Sequence, residues 1–308
     1  MSWARGLAWV REQVPLAPMT SYRLGGPARF LAEPPDEDAL AQALARANQS
    51  GLPTYVLGRG TNLLVADEGV DGLVVRLPRA GFAECDSDGM LLRVGAGHGL
   101  PELIRWSLEQ GLSGLEFLAG IPGTVGAALR MNAGGRYGQI GGRVLGVSGC
   151  GRGGWPFRLR GAQCAFGYRD SALRGLLVTR CELAVEPARR ESCEAVFRDI
   201  LAEKSARQPL AARSAGCVFK NPTAPGLPPA GKLIEELGFK GHRVGGASVS
   251  PRHANFLLCE GRARARDVVE LIRQIRGRAL AERGVRLELE IAVWGVPPEA
   301  LWPAGVAA

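Results

Sequence analysis

The sequence predicts an α+β fold, and three observations support this prediction. Short apolar runs rich in Val and Leu, bounded by glycine or proline, recur along the chain and are typical of β-strands. Stretches with apolar residues at helical spacing, acidic first turns and terminal glycines lie between these runs. The chain of 308 residues, with a hydrophobic content of 46%, is also long enough for one large domain or for two or three smaller ones.

The N-terminal half opens with a β-α-β-like pattern. Residues 36–51 carry acids in the first turn and end on Gly51, which predicts a helix. A second helix is predicted over residues 101–111, because Pro101 suits the first helical position and Gly111 suits the end. Strands are predicted at the runs "TYVLG", the two halves of "LLVADEGVDGLVVRL", "MLLRVGAG", "RVLGVSGC" and "LLVTRCELAV".

A charged stretch that contains proline, residues 186–192, is the best candidate for a domain boundary. We therefore predict a first domain over residues 1–187 and a second over residues 188–308. Apolar and polar residues alternate over 285–293, which predicts a half-buried strand. Helices of the second domain are predicted over "CEAVFRDILAEKSARQ", over "KLIEELG" and from about Asp267 to Gly284.

Composition narrows the class of protein. The net charge of +8 suits anionic ligands such as nucleotides, but only four of the 38 basic residues are Lys and they form no tract. No apolar run has the length of a membrane span, and charged residues interrupt the N-terminus, so we expect a cytoplasmic protein with no membrane segment and no signal peptide. The seven cysteines contain no C-x-x-C pair, which argues against disulfides and against a metal site.

Two glycine-rich stretches are candidate ligand loops. In "LGRGTNLLV", the backbone around Gly58 and Gly60 can approach an anion, although an ordinary tight turn is the better interpretation of this motif alone. It is not a dinucleotide fingerprint, because Leu63 replaces the third glycine. In "GIPGTVGAALRMNAGG", Gly123 and Gly126 allow close approach of a flat or phosphorylated ligand, or close packing of a helix on a sheet.

Other motifs are excluded or ambiguous. "GLPPAGKL" fails as a P-loop, because Leu233 replaces the magnesium-binding hydroxyl and two prolines remove backbone donors. The Arg169 guanidinium could clamp a carboxylate or stabilise an enolate, but from spacing alone a solvated loop residue is the better interpretation. Glu290 in such a position is more often a surface carboxylate than a catalytic one. Cys217, in the small-residue turn "SAGCVFKNP", is either a buried inert thiol or a proton donor.

Eight stretches together resemble, in the same order, the UDP-N-acetylenolpyruvoylglucosamine reductase family. They extend over roughly residues 19–295 and are specific only as a set. The stretches are "TSYRLGGPARF", "VLGRGTNLLV", "GLEFLAGIPGTVGAALRMNAGG", "FGYRDS", "SAGCVFKNP", "AGKLIEELGFKG", "VSPRHANFLL" and "LELEI".

The resemblance implies a vanillyl-alcohol-oxidase-like (PCMH-type) FAD-binding domain of two α+β subdomains, over residues 1–187, and a C-terminal α+β substrate-binding domain, over 188–308. It implies a flavoenzyme in which NADPH reduces FAD, and the enolpyruvyl group of UDP-N-acetylglucosamine enolpyruvate is then reduced to give UDP-N-acetylmuramate. This reaction belongs to peptidoglycan synthesis, and hence to cell wall biogenesis, cell shape and cell division. We expect a monomer whose partners are the UDP-sugar and NADPH, with no nucleic acid.

The resemblance also implies site residues. Arg169 and Glu290 match the pair that stabilises the enolic intermediate, and Cys217 stands where many members have the Ser that donates the proton. Lys220 and Asn221, with Tyr168, match substrate contacts. The matching cofactor-binding residues are Gly58, Arg59, Gly60, Thr61, Asn62, Gly120, Ile121, Pro122, Gly123, Gly126, Ala127, Asn132 and Gly134.

Two departures from the family pattern bear on mechanism. A thiol has a reference pKa of about 8.5, far below that of an alkyl hydroxyl, so a thiol at this position can still be protonated near neutral pH and is thermodynamically the better proton donor. Leu289 stands where the family often has Pro before the glutamate. Two alternatives to the reductase stay open: an FAD oxidoreductase with another substrate, and a basic nucleotide- or nucleic-acid-binding protein without a redox role.

Overall fold

The structure, a computed structural model, describes residues 3–306, and its chain forms two compact units. The first unit consists of residues 3–13, 29–59 and 72–206, and the second consists of residues 14–28, 60–71 and 207–306. Each unit therefore draws on separate parts of the chain. The domain boundary expected between residues 187 and 188 stays a prediction.

Helices and strands alternate along most of the described chain. The helices are α1 (Glu37–Gln49), α2 (Arg79–Phe82, a kinked turn), α3 (Leu100–Glu109), α4 (Val125–Arg130), α5 (Arg190–Arg207), α6 (Ala230–Glu236) and α7 (Ala265–Arg283). The strands are β1 (Val10–Pro15), β2 (Pro27–Ala32), β3 (Thr54–Val56), β4 (Leu63–Val65), β5 (Val70–Val75), β6 (Cys85–Ser87), β7 (Leu91–Gly95), β8 (Leu112–Ser113), β9 (Gly134–Gly135), β10 (Gly138–Gln139), β11 (Val144–Cys150), β12 (Pro156–Arg160), β13 (Leu177–Ala184), β14 (Glu186–Pro187), β15 (Arg243–Val244), β16 (Ala247–Val249), β17 (Leu257–Cys259) and β18 (Ala292–Trp294).

A five-stranded sheet organises the first unit. Its order is β12-β11-β13-β7-β6, and neighbouring strands in it are antiparallel. The apolar face of α3 and the short α4 share one buried core with residues of these strands, including Leu92, Val94 and Leu183. A second core forms around α1, whose first turn is capped by the Asp36 carboxylate accepting a hydrogen bond from the Ala39 N–H.

The second unit has its own core around α7. This long helix ends at Gly284, whose left-handed backbone conformation terminates it. The antiparallel sheet β15-β16-β17 and the helix α6 pack on the same core. The strand β18 pairs in parallel with β4, with Ala292 opposite Leu63.

The strand predicted over residues 285–293 is wrong in extent, and the predicted alternation of burial is confirmed only over 285–288. Val285 and Leu287 are buried and Arg286 and Glu288 are exposed, whereas Leu289 and Glu290 are both half-buried. Regular pairing begins at 292, where β18 pairs with β4, and before it the segment makes a single bridge, between Leu289 and Phe219. The helices predicted at 36–51, 101–111 and 267–284 are confirmed within a few residues.

No helix within residues 3–306 is long and apolar enough to span a bilayer. Across the same residues, no cluster of three His, Cys, Asp or Glu side chains has a geometry that would hold a metal ion.

Candidate active site

A cavity of about 310 Å³ lies in the first unit, where the "GRG" turn, α4 and β13 meet. Its wall includes the small residues Gly58, Gly97 and Gly126, together with apolar side chains of β3 and β13. Four guanidinium groups also line it, those of Arg59, Arg76, Arg79 and Arg130, with Glu33 as the one lining carboxylate among the described residues.

Glycine brings the walls of this cavity close together. A Cβ on Gly58 would lie 3.0 Å from Thr124 Oγ1, and a Cβ on Gly126 would lie 3.0 Å from the Ala96 Cβ. Thr124 caps α4, since its hydroxyl accepts a hydrogen bond of 3.4 Å from the Ala127 N–H. Close packing therefore accounts for both glycines, and it leaves the backbone of the loops exposed to a ligand in the cavity.

The charges around the cavity are only partly compensated. The Arg59 guanidinium pairs with Glu102, the first acid of α3. Burial would raise the pKa of Glu102, but the hydrogen bond from Arg59 and its charge lower that pKa below the usual value. Burial lowers the pKa of Arg130, and the nearby cations Arg174 and Arg152 lower it further. An anionic ligand would offset this cationic field.

These residues fit FAD. Guanidinium groups and glycine backbone suit a diphosphate, while the apolar lining suits a flat ring system. Gly58, Arg59, Gly126 and Ala127, predicted from the sequence as cofactor residues, all line this cavity.

The turn at Gly120–Gly123 is built by backbone conformation. Gly120 and Gly123 have φ values of +74° and +121°, which favour glycine. The Gly123 carbonyl accepts a hydrogen bond of 3.0 Å from the Leu100 N–H and so ties the turn to the start of α3. The roles predicted for Ile121 and Pro122, between the two glycines, stay predictions.

Asn132 is a support for the neighbouring loop. It is 1% exposed and has a φ of +43°. Its Nδ2 donates to Gln139 Oε1 at 2.6 Å and to the Gly167 carbonyl at 2.8 Å, and its Oδ1 accepts from the Gly141 N–H at 2.9 Å. Position 134 requires glycine because the β9 and β10 backbones lie close together there, and a Cβ would lie 2.1 Å from the Gly138 carbonyl oxygen. Contacts of Asn132 and Gly134 with the cofactor stay predictions.

Arg169 sits at the tip of the turn that Asn132 supports. Gly167 and Asp170 pair across the turn, and the Arg169 guanidinium lies 5.4 Å from the centre of the Tyr168 ring. The φ of Arg169 is +54°, in the left-handed region that a non-glycine residue adopts at a cost of roughly 1 kcal/mol. Such conformations are retained where surrounding structure holds them, and functional sites are common among these places.

Lys204 is a candidate that the sequence reasoning missed. It lies on α5, and its Nζ donates to the Ala119 carbonyl at 2.6 Å. Burial lowers the pKa of Lys204, and the positive charge of Arg169 lowers it further. A half-buried cation beside Arg169 adds to the positive field there. In the sequence it reads as one charge on a solvated helix face, so no local pattern marks it.

Cys217 lies in the second unit on a short segment that its neighbours hold firmly. Cys217 is half-buried and forms a bridge with Phe256. The side chain of the buried Asn255 bonds the backbone of Phe219 as a neighbouring strand would. Its Oδ1 accepts from the Phe219 N–H at 2.9 Å, and its Nδ2 donates to the Phe219 carbonyl at 2.8 Å. The Asn255 carbonyl also accepts from the Val218 N–H at 2.9 Å.

Glu290 lies beside this segment. Its backbone N–H donates to the Val218 carbonyl at 2.8 Å, and the Lys220 N–H donates to the Glu288 carbonyl at 2.9 Å. The structure therefore brings together the backbone that carries Cys217 and the backbone that carries Glu290. These two bonds use no hydrogen-bond donor from Leu289, so the bridge accommodates either Leu or Pro at that position.

The predicted substrate contacts Lys220 and Asn221 follow Cys217. Lys220 Nζ pairs with Glu288 Oε2 at 3.1 Å. The Asn221 Oδ1 accepts a hydrogen bond of 3.0 Å from the Ala230 N–H at the start of α6. Lys220 and Asn221 thus have structural partners, and their contacts with the UDP-sugar stay predictions.

The second half of the "GRGTN" turn belongs to this unit as well. Gly60 has a φ of +63°, and a Cβ there would lie 2.2 Å from the Met19 carbonyl oxygen. Thr61 and Asn62 are half-buried. The Asn62 Nδ2 donates to the Glu290 carbonyl at 3.1 Å, so this side chain serves the glutamate segment.

Comparison with known proteins agrees with this arrangement. A family described as "FAD binding domain" matches residues 28–149, and a family described as "UDP-N-acetylenolpyruvoylglucosamine reductase, C-terminal domain" matches residues 208–294. UDP-N-acetylenolpyruvoylglucosamine reductase 2 of Symbiobacterium thermophilum is 44% identical over 94% of this chain and 93% of its own. The reductase of Moorella thermoacetica is 45% identical over 91% of this chain and 92% of its own.

A solved structure shares the fold. UDP-N-acetylenolpyruvylglucosamine reductase from Thermus caldophilus aligns with a TM-score of 0.80 and 39% identity, over 92% of this chain and 99% of that one. The match and the FAD-binding family confirm the predicted α+β fold with its FAD-binding domain.

The fold and the cationic cavity define an FAD-dependent oxidoreductase. The alternative of a basic binding protein without a redox role is therefore wrong. With relatives more than 40% identical over more than 90% of its length, the chain belongs to the UDP-N-acetylenolpyruvoylglucosamine reductase family.

Proposed function

We propose that this enzyme uses NADPH to reduce the enolpyruvyl group of UDP-N-acetylglucosamine enolpyruvate to the lactyl ether of UDP-N-acetylmuramate, a step of peptidoglycan synthesis. The observation that carries the proposal is the identity of 44% with a reductase of this name over 94% of the chain. The backbone pairing of the Cys217 and Glu290 segments supports it, because a candidate proton donor and a candidate carboxylate share one framework.

When bound, FAD would supply the two-electron chemistry of the reaction, namely hydride transfer from NADPH and on to the terminal carbon of the enolpyruvyl double bond. The guanidinium groups of Arg59, Arg76, Arg79 and Arg130 would hold the cofactor's diphosphate. The apolar side chains of β3 and β13 would exclude water from its ring system.

Side chains of the protein then stabilise the negative charge that forms on the substrate and donate a proton to it. Addition of hydride to the terminal carbon places negative charge on the substrate's carboxylate and adjacent carbon, as an enolate. Arg169 stabilises that charge through its guanidinium, and Glu290 orients the enolic group. The Cys217 Sγ–H bond breaks as its proton moves to the carbon that bears the ether oxygen, which completes the saturated product. The thiolate left behind is reprotonated from solvent before the next turnover.

Lys204 adds to the positive field around Arg169. Its ammonium group is half-buried near Arg169, and burial together with the Arg169 charge lowers the pKa of Lys204. A substrate carrying a carboxylate and a diphosphate matches such a field. NADPH as the reductant, a monomeric state and a cytoplasmic location stay predictions.

Anaerobic spectroscopy tests the proposal. The purified protein, loaded with FAD, is mixed with NADPH, and the flavin absorbance is followed before and after addition of UDP-N-acetylglucosamine enolpyruvate. We expect bleaching by NADPH and rapid recovery of absorbance only when the UDP-sugar is present. Bleaching without recovery would retain the FAD-dependent oxidoreductase and reject the substrate in favour of a related one.

A further inference from the structure

Glu290 lies in a stretch without regular secondary structure. Residues 285–291 form no named strand, so a continuous ladder does not determine where the Glu290 carboxylate points. The orientation of its two flanking peptides depends on individual hydrogen bonds. On the N-terminal side, the Glu290 N–H is held by the Val218 carbonyl at 2.8 Å.

On the C-terminal side of Glu290, the Asn62 side chain holds the peptide. Its Nδ2 donates to the Glu290 carbonyl at 3.1 Å, and its own backbone carbonyl accepts from the Ala292 N–H at 3.0 Å. Asn62 directly precedes β4, which pairs in parallel with β18. The asparagine side chain thus extends the pairing by one peptide beyond the point where the backbone ladder begins.

We infer that Asn62 is a positioning residue for the Glu290 carboxylate, an inference that rests on the proposed function. The Asn62 bond holds the carbonyl of the peptide between Glu290 and Ile291, whose N–H donates a longer bond of 3.5 Å to the Val218 carbonyl. Loss of the shorter bond would free that peptide plane to rotate and swing the glutamate side chain. A misplacement of about 1 Å at a reacting group can cost about 100-fold in rate. The sequence had suggested Asn62 as a cofactor ligand, whereas its observed contacts are with the glutamate segment.

The test separates the two half-reactions of the FAD-loaded, full-length enzyme. Asn62→Asp keeps the side-chain size but replaces the amide donor with a carboxylate, which repels the Glu290 carbonyl. We expect flavin reoxidation by the UDP-sugar to slow by about 30-fold or more. Flavin reduction by NADPH and the FAD dissociation constant, measured by fluorescence titration, should each stay within about threefold, because Asn62 acts through Glu290.

The pH dependence provides a second signature. Below the pKa of the introduced aspartate, the neutral carboxyl group regains an O–H donor for the Glu290 carbonyl. The reoxidation rate of Asn62→Asp, relative to wild type, should therefore rise as the pH falls from 8 to about 5. A purely structural defect would give a constant or falling ratio.

Asp67 offers a matched control on the same segment. Its carboxylate accepts from the Ala265 and Arg266 N–H groups at 2.9 and 3.2 Å and caps α7, away from the glutamate segment in the chain. Asp67→Asn should lower the melting temperature and leave the ratio of the two half-reactions unchanged. Asn62→Ser is a second test variant, since it removes the amide without adding charge, and the same separation of half-reactions is expected of it.

The outcomes are distinct. If wild-type enzyme shows no reoxidation by the UDP-sugar, the proposed function fails. If wild type turns over and both Asn62 variants reoxidise at near wild-type rates, only the positioning inference fails. A parallel loss of both half-reactions, or an increase of the FAD dissociation constant by about tenfold or more with normal reoxidation, would make Asn62 a cofactor ligand and overturn the inference.

Discussion

The cofactor cavity and the Cys217–Glu290 region are constructed by different means. The cavity lies at the ends of regular elements, where glycines allow close approach and arginines supply charge. The Cys217–Glu290 region has irregular backbone, which side-chain amides of Asn62 and Asn255 hold in place. Binding a large anion therefore depends mainly on charge and shape, whereas proton transfer depends on the orientation of individual groups.

Removal of the Cys217 thiol should have the largest effect. Cys217→Ala leaves no proton donor at this position, so substrate-dependent flavin reoxidation should fall by about 10²- to 10⁴-fold. Reduction by NADPH should change little. Stopped-flow absorbance of each half-reaction measures both. Cys217→Ser, which restores the residue type common in the family, should recover much of the rate, and Cys259→Ser, a change at a buried thiol, is the control. Near wild-type reoxidation by the alanine variant would show that another group donates the proton.

Removal of one cavity cation should weaken the binding of FAD and leave the orientation of the Cys217–Glu290 region unchanged. Arg130→Met keeps the length of the side chain but loses a charged hydrogen-bonding group, typically worth about 1.5–3 kcal/mol, so the FAD dissociation constant should rise by roughly 10- to 100-fold. The melting temperature of the flavin-free protein should change little, because the Arg130 side chain is exposed. Fluorescence titration and apoprotein melting give the two readings, and unchanged FAD affinity would contradict this account of the cavity.

The Cys217–Glu290 region should also carry a modest sensitivity to acid. His253 lies two residues before Asn255, and burial lowers its pKa below 6.5. The unfolded chain therefore binds a proton more readily, so stability falls as the pH drops below about 6.5 and continues to fall until the folded-state pKa is reached. His253→Gln should flatten the dependence of the urea midpoint on pH between 7 and 5. His242→Gln, at an exposed histidine, is the matched control, and equal slopes for wild type and His253→Gln would refute the prediction.

Leu289→Pro should have the smallest effect. The bridge between Phe219 and Leu289 uses the N–H groups of Lys220 and Glu290, so the loss of the Leu289 N–H removes no bond of that bridge. Rates of both half-reactions and the melting temperature should stay close to wild type, since proline costs most where it removes a donor in use. A large decrease in the rate of flavin reoxidation, with the other two quantities unchanged, would show that Leu289 helps to orient the Glu290 carboxylate in another way.

Sequence patterns predicted much of the fold. Residues 36–51 and 267–284 carry enough helical periodicity and end signals to locate α1 and α7. The same reasoning failed at 285–293, because alternating burial does not require a continuous ladder. Lys204 was missed for a related reason: the carbonyls that accept its hydrogen bonds lie 87 and 85 positions away in the chain.

For the candidate site, the ordered motifs indicated the chemistry, and the tertiary structure showed which partners each side chain bonds. Gly58, Arg59 and the motif cysteine are recognisable because their residue types suit anion binding or proton donation in any context. The sequence did not reveal the structural bonds of Asn132 and Asn62, since an amide beside a glycine loop can bond a ligand or the protein itself.

The amino-acid sequence by itself determined the α+β class, the positions of most helices and strands, and the family. These follow from local periodicity, turn chemistry and a specific order of motifs, all of which are properties of neighbouring residues. Only the tertiary structure decided that four arginines converge on one cavity and that Val218 and Glu290 share a hydrogen bond. Such contacts join distant segments, and their geometry exists only once the backbone between them has folded.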